Sequence, residues 1–111
     1  MLEIIIKAMN EKKGEDIIAI DVSKSSPICD YFVICSATND RQIISLANFV
    51  DEELAKNNYE IKKISGKGSK WVIVDAKSII VHIFAKEERD TYNLEKLWEP
   101  FPKVDISKYL D

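Results

Sequence analysis

The stretch GSKWVIVDAKSIIVHIF, residues 68–84, holds the side chains whose types and spacing come closest to a catalytic pattern. A Gly68-Ser69 turn ahead of a strand carrying Asp75 resembles the start of a nucleotidyl-transfer site, where paired carboxylates hold two magnesium ions. The residue two positions beyond Asp75 is Lys77, where that chemistry needs a second carboxylate. The glycine and Lys-Ser/Thr spacing of a phosphate-binding loop is also absent from the sequence. The pattern therefore argues against nucleotidyl transfer and predicts no bound cofactor.

Histidine and cysteine side chains offer little further chemistry. His82 is the only histidine, and the two cysteines, Cys29 and Cys35, do not form a Cys-x-x-Cys pair, so we predict no metal site. His82 alternates with Ile80 and Phe84 along a β run, which places it on a sheet face. We interpret it as a histidine satisfied by a hydrogen bond, with partner contact as the alternative. No nucleophile and orienting acid accompany it, so the chain is predicted not to be an enzyme.

Trp71 opens the β run that precedes this one, beside the polar loop SGKGSK, and shares its strand face with Ile73 and Asp75. It is either a core tryptophan or a contact residue. Its position next to a polar loop favours contact with a partner, because tryptophan is strongly enriched among the hot spots of protein interfaces. Asp75 and Ala76, at the end of the hairpin, are expected to project beside it.

Composition limits the class of protein. The 111 residues are 46% hydrophobic and 32% charged, which predicts one soluble domain, residues 1–111, with a core over about 2–99. The net charge is −3 and only two basic residues are arginines, which argues against a protein that grips nucleic acid mainly through its positive field. No apolar run approaches the length of a membrane span, and two thiols without a disulfide framework fit the cytoplasm.

Hydrophobic periodicity predicts the element order α-β-β-α-β-β-β-α. In the first half, an apolar stripe over residues 2–9 predicts a helix with a basic last turn and a left-handed stop at Gly14. The nearly continuous apolar run 31–37 predicts a strand in the middle of the sheet. Asn39 and Gln42 resemble a capping box at the next helix, where Asp40 and Arg41 are expected to form a local ion pair.

In the second half, residues 59–65 predict a weak edge strand, and residues 70–76 and 78–84 predict an antiparallel hairpin. A last helix places Leu94, Leu97 and Trp98 on one face and stops before Pro100. Residues 100–111 are expected to be irregular. The prediction is one α/β domain with a mixed sheet of about five strands and flanking helices.

Three separated blocks of the chain resemble the signature motifs of the RsfS/Iojap family of ribosomal silencing factors: DYFVICSATNDRQ (30–42), WVIVDAKSIIVHIF (71–84) and RDTYNLEKLW (89–98). The resemblance implies a nucleotidyltransferase-like topology without that activity. It also implies binding to the large ribosomal subunit through its ribosomal protein fourteen, which obstructs joining of the small subunit and represses translation. Organellar relatives act in large-subunit assembly.

The resemblance assigns partner binding to the region that contains Trp71, Asp75, Ala76, Lys77, His82 and Tyr92. One departure concerns the hairpin turn, where the family pattern Asp-x-Gly-Asp is replaced by residues 75–78, Asp-Ala-Lys-Ser. Glycine supplies a positive φ at no steric cost, so a lysine there predicts a different turn or strain of about 1 kcal/mol. A homodimer built on Trp71 is the alternative use of this surface.

Overall fold

Five strands form one mixed sheet in the computed structural model, which describes residues 1–92, 96 and 99–110, with only the backbone of Tyr92. The strands lie in the order β1-β2-β5-β4-β3; β2 and β5 are parallel and the other neighbours antiparallel. The predicted fold class is confirmed. The elements are α1 (Leu2–Glu11), β1 (Glu15–Asp21), β2 (Tyr31–Ala37), α2 (Asp40–Lys56), β3 (Lys63–Ser65), β4 (Trp71–Asp75), β5 (Ile79–Ala85), α3 (Lys86–Tyr92) and a 3-10 turn (Ser107–Tyr109).

The two faces of this sheet are covered differently. On the helix face, side chains of β2, β4 and β5 pack with α1 and α2 into the main core, which includes Val33, Cys35, Val72, Val74, Val81 and Ile83. The opposite face, here called the aromatic face, carries Phe32, Ile34, Trp71, Ile73, His82 and Phe84. Phe101 of the C-terminal segment packs against a smaller buried cluster on that face. Strand β2 lies between two neighbours, as its apolar run predicted.

The start of α2 follows the expected capping chemistry. The Asn39 side chain accepts a hydrogen bond of 2.8 Å from the Gln42 N–H, and the Gln42 side-chain oxygen accepts one of 2.7 Å from the Thr38 N–H. The return bond therefore goes one residue earlier than in a standard capping box. Asp40 forms its ion pair with Lys70, at 3.4 Å, and not with the neighbouring Arg41 as expected. That pair ties the β3–β4 loop to α2.

The end of α1 differs from its prediction. Lys13 adopts the left-handed conformation, with φ 63°, and Gly14 does not. The last turn of the helix holds no basic residue. A Cβ at Gly14 would lie 3.2 Å from the Met9 carbonyl and 3.3 Å from the Cys35 sulfur, so a glycine is favoured there by close packing. The third strand is also shorter than predicted, since β3 covers only Lys63–Ser65 at the sheet edge.

The C-terminal segment closes the outer edge of β1. The Val104 N–H donates to the Ala19 carbonyl and the Asp21 N–H to the Pro102 carbonyl, both at 2.9 Å. Ile106 is buried, and a 3-10 turn follows, so residues 100–110 are irregular in part and anchored to the sheet. The predicted last helix begins at Lys86; the apolar stripe of Leu94, Leu97 and Trp98 lies outside the described residues.

Arg89 anchors α3 to the sheet. Its side chain is buried, and its guanidinium donates hydrogen bonds to the Asp16 carbonyl at 2.8 Å and to the Ser36 hydroxyl at 2.9 Å. These contacts join α3 to β1 and β2 on the aromatic face. A buried acceptor that loses its donor costs about 1–3 kcal/mol, so this one side chain contributes strongly to the position of the helix.

We therefore expect Arg89→Met to lower the free energy of unfolding by about 2 kcal/mol, because it leaves two acceptors without that donor. Urea denaturation followed by circular dichroism measures the change. The chain offers a matched control in its other arginine, the exposed Arg41, whose replacement by Met should change stability by less than about 0.5 kcal/mol. Equal losses in both variants would refute the anchoring role.

Candidate partner-binding surface

The side chain of Trp71 lies on the aromatic face with 45% of its surface exposed. Its indole Nε1–H donates a hydrogen bond of 3.2 Å to Nδ1 of His82, and its ring centroid lies 4.9 Å from that of Phe84. One edge of the indole is therefore fixed by the sheet while the other meets solvent. This position satisfies the polar group of the tryptophan and still leaves a large apolar area available to a partner.

The Gly-Ser turn that precedes Trp71 has a structural role. Gly66 has φ +84°, and a Cβ there would lie 2.5 Å from the Trp71 carbonyl. The Ser69 hydroxyl lies 2.6 Å from the Gly66 carbonyl and 2.8 Å from that of Trp71, and it accepts a bond from the Trp71 N–H. These bonds hold the loop against the start of β4. They fix the backbone from which the indole projects.

His82 lies beneath Trp71 and is 7% exposed. Burial lowers the pKa of its imidazole from 6.5 to about 4, so the ring is neutral at physiological pH and can accept the indole N–H at Nδ1. Phe32 packs against it edge-on, with the ring centroids 5.0 Å apart. Nδ1 of His82 thus accepts a hydrogen bond, as one interpretation of this residue expected, and a contact of His82 with a partner stays a prediction. Its part in the surface is to position Trp71.

The hairpin turn after β4 presents two of its three predicted contact residues. Asp75 is partly exposed and accepts a hydrogen bond of 3.0 Å from the Lys77 N–H, and Lys77 is fully at the surface. Ala76 is 2% exposed and packs into the core on the helix face, so its side chain offers no contact area. Lys77 has φ 72°, the left-handed conformation that the sequence associated with strain. The side chain of Tyr92 lies outside the described residues.

Sequence reasoning missed one prominent apolar side chain. Ile28 is 82% exposed and lines a shallow groove with Lys62, Asp75, Lys77 and Ser78. The Asp30 N–H donates a 2.7 Å hydrogen bond to the Ser78 carbonyl, which holds this loop against the hairpin turn. An isoleucine directly after Pro27 in an otherwise polar loop was a possible signal. Together with the half-buried Ile73 and Ile80, it extends the apolar surface beyond Trp71.

The described residues contain few groups that could act as metal ligands or as a catalytic nucleophile. Within them, no group of three or more His, Cys, Asp and Glu side chains is arranged to hold a metal ion. Cys35 is fully buried, and desolvation raises the pKa of its thiol to about 12, so it is not a thiolate at neutral pH. None of the helices in the described part of the chain has the length and apolar character needed to cross a membrane.

Comparison with known proteins identifies the family of this chain. The family model described as "Ribosomal silencing factor during starvation" matches residues 1–111. The chain belongs to the ribosomal silencing factor family. The RsfS protein of Bacillus subtilis is 38% identical over 107 residues, which cover 96% of this chain and 91% of that one. The family is described by a regulatory role and not by a reaction.

More distant relatives and solved structures agree with this assignment. A mouse protein named for mitochondrial assembly of the ribosomal large subunit is 31% identical over 87% of this chain and 44% of its own length. A crystal structure of a Bacillus halodurans protein superimposes with a TM-score of 0.83 at 33% identity and covers 95% of this chain and 96% of that one. The ribosomal silencing factor fold is therefore shown for nearly the whole chain.

The buried imidazole makes stability depend on pH. Because the pKa of His82 is about 4 in the folded chain and near 6.5 when exposed, the unfolded chain binds more protons between these values. Its contribution to stability is complete above pH 6.5 and is lost as the pH falls towards 4, by up to about 3 kcal/mol. We expect the imidazole NMR signals, unambiguous because His82 is the only histidine, to titrate well below pH 6. His82→Phe should flatten the stability curve between pH 6.5 and 4; an unchanged curve would contradict this.

The strained turn gives a second stability prediction. Lys77→Gly should raise the free energy of unfolding by about 1 kcal/mol, since glycine adopts φ 72° without a Cβ clash. For a domain of this size the melting temperature should rise by about 4 °C. Lys77→Ala is the matched control, because it removes the same charge but keeps the Cβ, and it should give no gain. A gain in both variants would point to charge and not to backbone strain.

Proposed function

We propose that this protein binds the large ribosomal subunit in the cytoplasm, with ribosomal protein fourteen as its direct partner. In its bound position it blocks the approach of the small subunit and so represses translation. Family membership supports the ribosomal role. The observation that carries the proposal for this chain is the 45% exposed Trp71 on the aromatic face of the sheet.

The geometry of Trp71 suits an interface hot spot. A half-exposed indole that already has its N–H bonded does not have to break a bond with water when a partner covers it. The hydrogen bond to His82 and the contact with Phe84 also restrict the ring before binding. A side chain that is ordered in advance loses less conformational entropy on association, which favours affinity.

The surroundings of Trp71 also match the general anatomy of a protein–protein interface. The apolar side chains of Ile73 and Ile80 lie on the same face as the indole, and at the far end of β4 Ile28 lies beside the charged Asp75 and Lys77. An apolar centre with a polar rim is typical of specific interfaces. The rim charges contribute mainly to partner choice and orientation. A protein surface is therefore the partner that this arrangement fits.

A second role, in assembly of the large subunit, is favoured by the mouse relative named for that process. The two roles predict different cellular effects. Deletion of a repressor leaves the number of mature large subunits unchanged and raises the fraction of joined ribosomes under starvation. Deletion of an assembly factor lowers the number of mature large subunits under all conditions. Sucrose-gradient profiles of a deletion strain distinguish them.

We expect Trp71→Ala to weaken binding to purified large subunits by about 30-fold or more, the loss typical of a central hot spot. Sedimentation of the protein with large subunits through sucrose measures this, and inhibition of subunit joining should fall in parallel. Ile44→Ala is the control: Ile44 is also a partly exposed apolar residue, 37% exposed, but lies on α2 away from the aromatic face. This variant should bind as the wild type does.

Other outcomes would reject the proposal. If the wild-type protein does not sediment with large subunits, or sediments without inhibiting subunit joining, repression by occlusion is wrong. If Trp71→Ala binds normally but changes from dimer to monomer in analytical ultracentrifugation, the tryptophan serves a homodimer. Circular dichroism must show that both variants are folded, which the partial exposure of both side chains predicts.

A further inference from the structure

The charges of this protein are divided unevenly along the chain. Residues 62–77 contain five lysines and one acidic residue, which gives a local net charge of +4. The remaining residues contain 11 basic and 18 acidic residues, a net charge of −7. An acidic protein therefore carries one concentrated basic segment, and that segment contains Trp71. We call its lysines, Lys62, Lys63, Lys67, Lys70 and Lys77, the lysine rim.

The fold places the lysine rim along the open β3 edge of the sheet and the adjoining β3–β4 loop, between the aromatic face and the helix face. Lys63 pairs with Asp75 across β3 and β4, so its side chain lies on the same face as Trp71 and Ile73. Lys62 lines the groove that also contains Lys77, and its N–H donates to the Asp75 carbonyl at 2.7 Å. Lys67 lies in the loop between β3 and β4. The rim follows the open edge of the sheet: Lys63 adjoins the surface assigned to the partner, whereas Lys67 and Lys70 contact α2.

Two of these lysines already have a local role. Lys70 lies 3.4 Å from Asp40 and 3.6 Å from Glu87, and these carboxylates raise the pKa of its ammonium group. Lys77 belongs to the strained turn. Lys62, Lys63 and Lys67 are exposed, and among the described residues none of the three has a carboxylate within ion-pair distance. Lys67 makes only a 3.1 Å hydrogen bond to the Asn48 side chain.

We propose that Lys62, Lys63 and Lys67 contact phosphate groups of ribosomal RNA while the aromatic face binds a protein of the large subunit. This inference rests on the proposed function, because it concerns a second contact of the same bound state. Ammonium groups on flexible stems neutralise phosphates without reading base sequence. The contact therefore supplies affinity and orientation and no sequence specificity.

A different explanation of edge lysines is that they prevent pairing with a foreign strand. That explanation accounts for Lys63, which lies in β3, but not for Lys67, which lies in a loop beyond the edge strand. Nor does it concern the lack of acidic residues in 59–74 apart from Glu60, which leaves the lysines of this segment without a neighbouring carboxylate in the sequence. Attraction to a polyanion accounts for both observations.

Salt dependence of binding to purified large subunits provides the test. Each lysine–phosphate contact adds about 0.7–0.9 to the slope of log affinity against log salt concentration. The triple variant Lys62→Gln, Lys63→Gln, Lys67→Gln should therefore show a slope smaller by about 2–3 than the wild type. Between 50 and 200 mM KCl, wild-type affinity should fall about 20- to 40-fold more than that of the variant.

The chain offers a control with the same net charge. Lys24, Lys103 and Lys108 are exposed and lie on the side of β1 and the C-terminal segment, away from the rim. Their triple replacement by Gln should leave the salt slope close to that of the wild type. An equal reduction in both variants would show a general effect of net charge and would overturn the proposal, as would an unchanged slope in the rim variant.

Binding to isolated ribosomal protein fourteen, without RNA, separates the two macromolecular partners. The rim variant should bind this protein with wild-type affinity, and Trp71→Ala should not. A rim variant that loses affinity for the isolated protein would show that the lysines contact an acidic protein surface, which overturns the RNA contact. Absence of wild-type binding to large subunits would refute the proposed function itself, whereas wild-type binding with an unaltered slope in the rim variant refutes only this inference.

Discussion

The placement of the helices determines how each face of the sheet is covered. A five-stranded sheet has two faces, and the helices α1 and α2 both pack on one of them. The other face is covered by other elements. Around β1 and β2 this is done by α3, held by the buried Arg89, and by Phe101 of the C-terminal segment. Over β4 and β5 the described residues leave part of that face to Trp71 and its neighbours. Within the described part of the chain, the candidate surface is the portion of the aromatic face that these elements leave open.

Contacts beneath and beside Trp71 hold the candidate surface in place. A neutral, buried His82 fixes the indole from below, and a glycine-dependent loop fixes its backbone. At the other end of β4, Lys77 holds a left-handed turn at a cost in stability that a glycine would remove. Order in the unbound state reduces the entropy lost on binding, so these local costs favour association. Affinity and stability are thus partly opposed at this hairpin.

Local signals carried most of the prediction. Strand β2 and the Asn39 cap could be predicted because each depends on residues only a few positions apart in the sequence. The parity of Trp71, Ile73 and Asp75 likewise followed from strand geometry alone. The features that were not predicted depend on contacts between residues far apart in the sequence. These are the burial of Ala76 in the core of the helix face and the ion pair of Asp40 with Lys70, where Arg41 was the expected partner. Ile28 was overlooked because exposure cannot be read from residue type.

The C-terminal segment gives the sheet two unlike edges. Backbone bonds from Val104 and to Pro102 occupy the edge of β1, while the edge of β3 offers three residues that begin with a lysine. A sheet with two free edges can add copies of itself indefinitely and grow into a filament. A sheet with one closed edge can pair once and then has no edge left, so any association of this kind ends at a closed dimer. The segment 102–104 thus limits how far such pairing of sheets could extend.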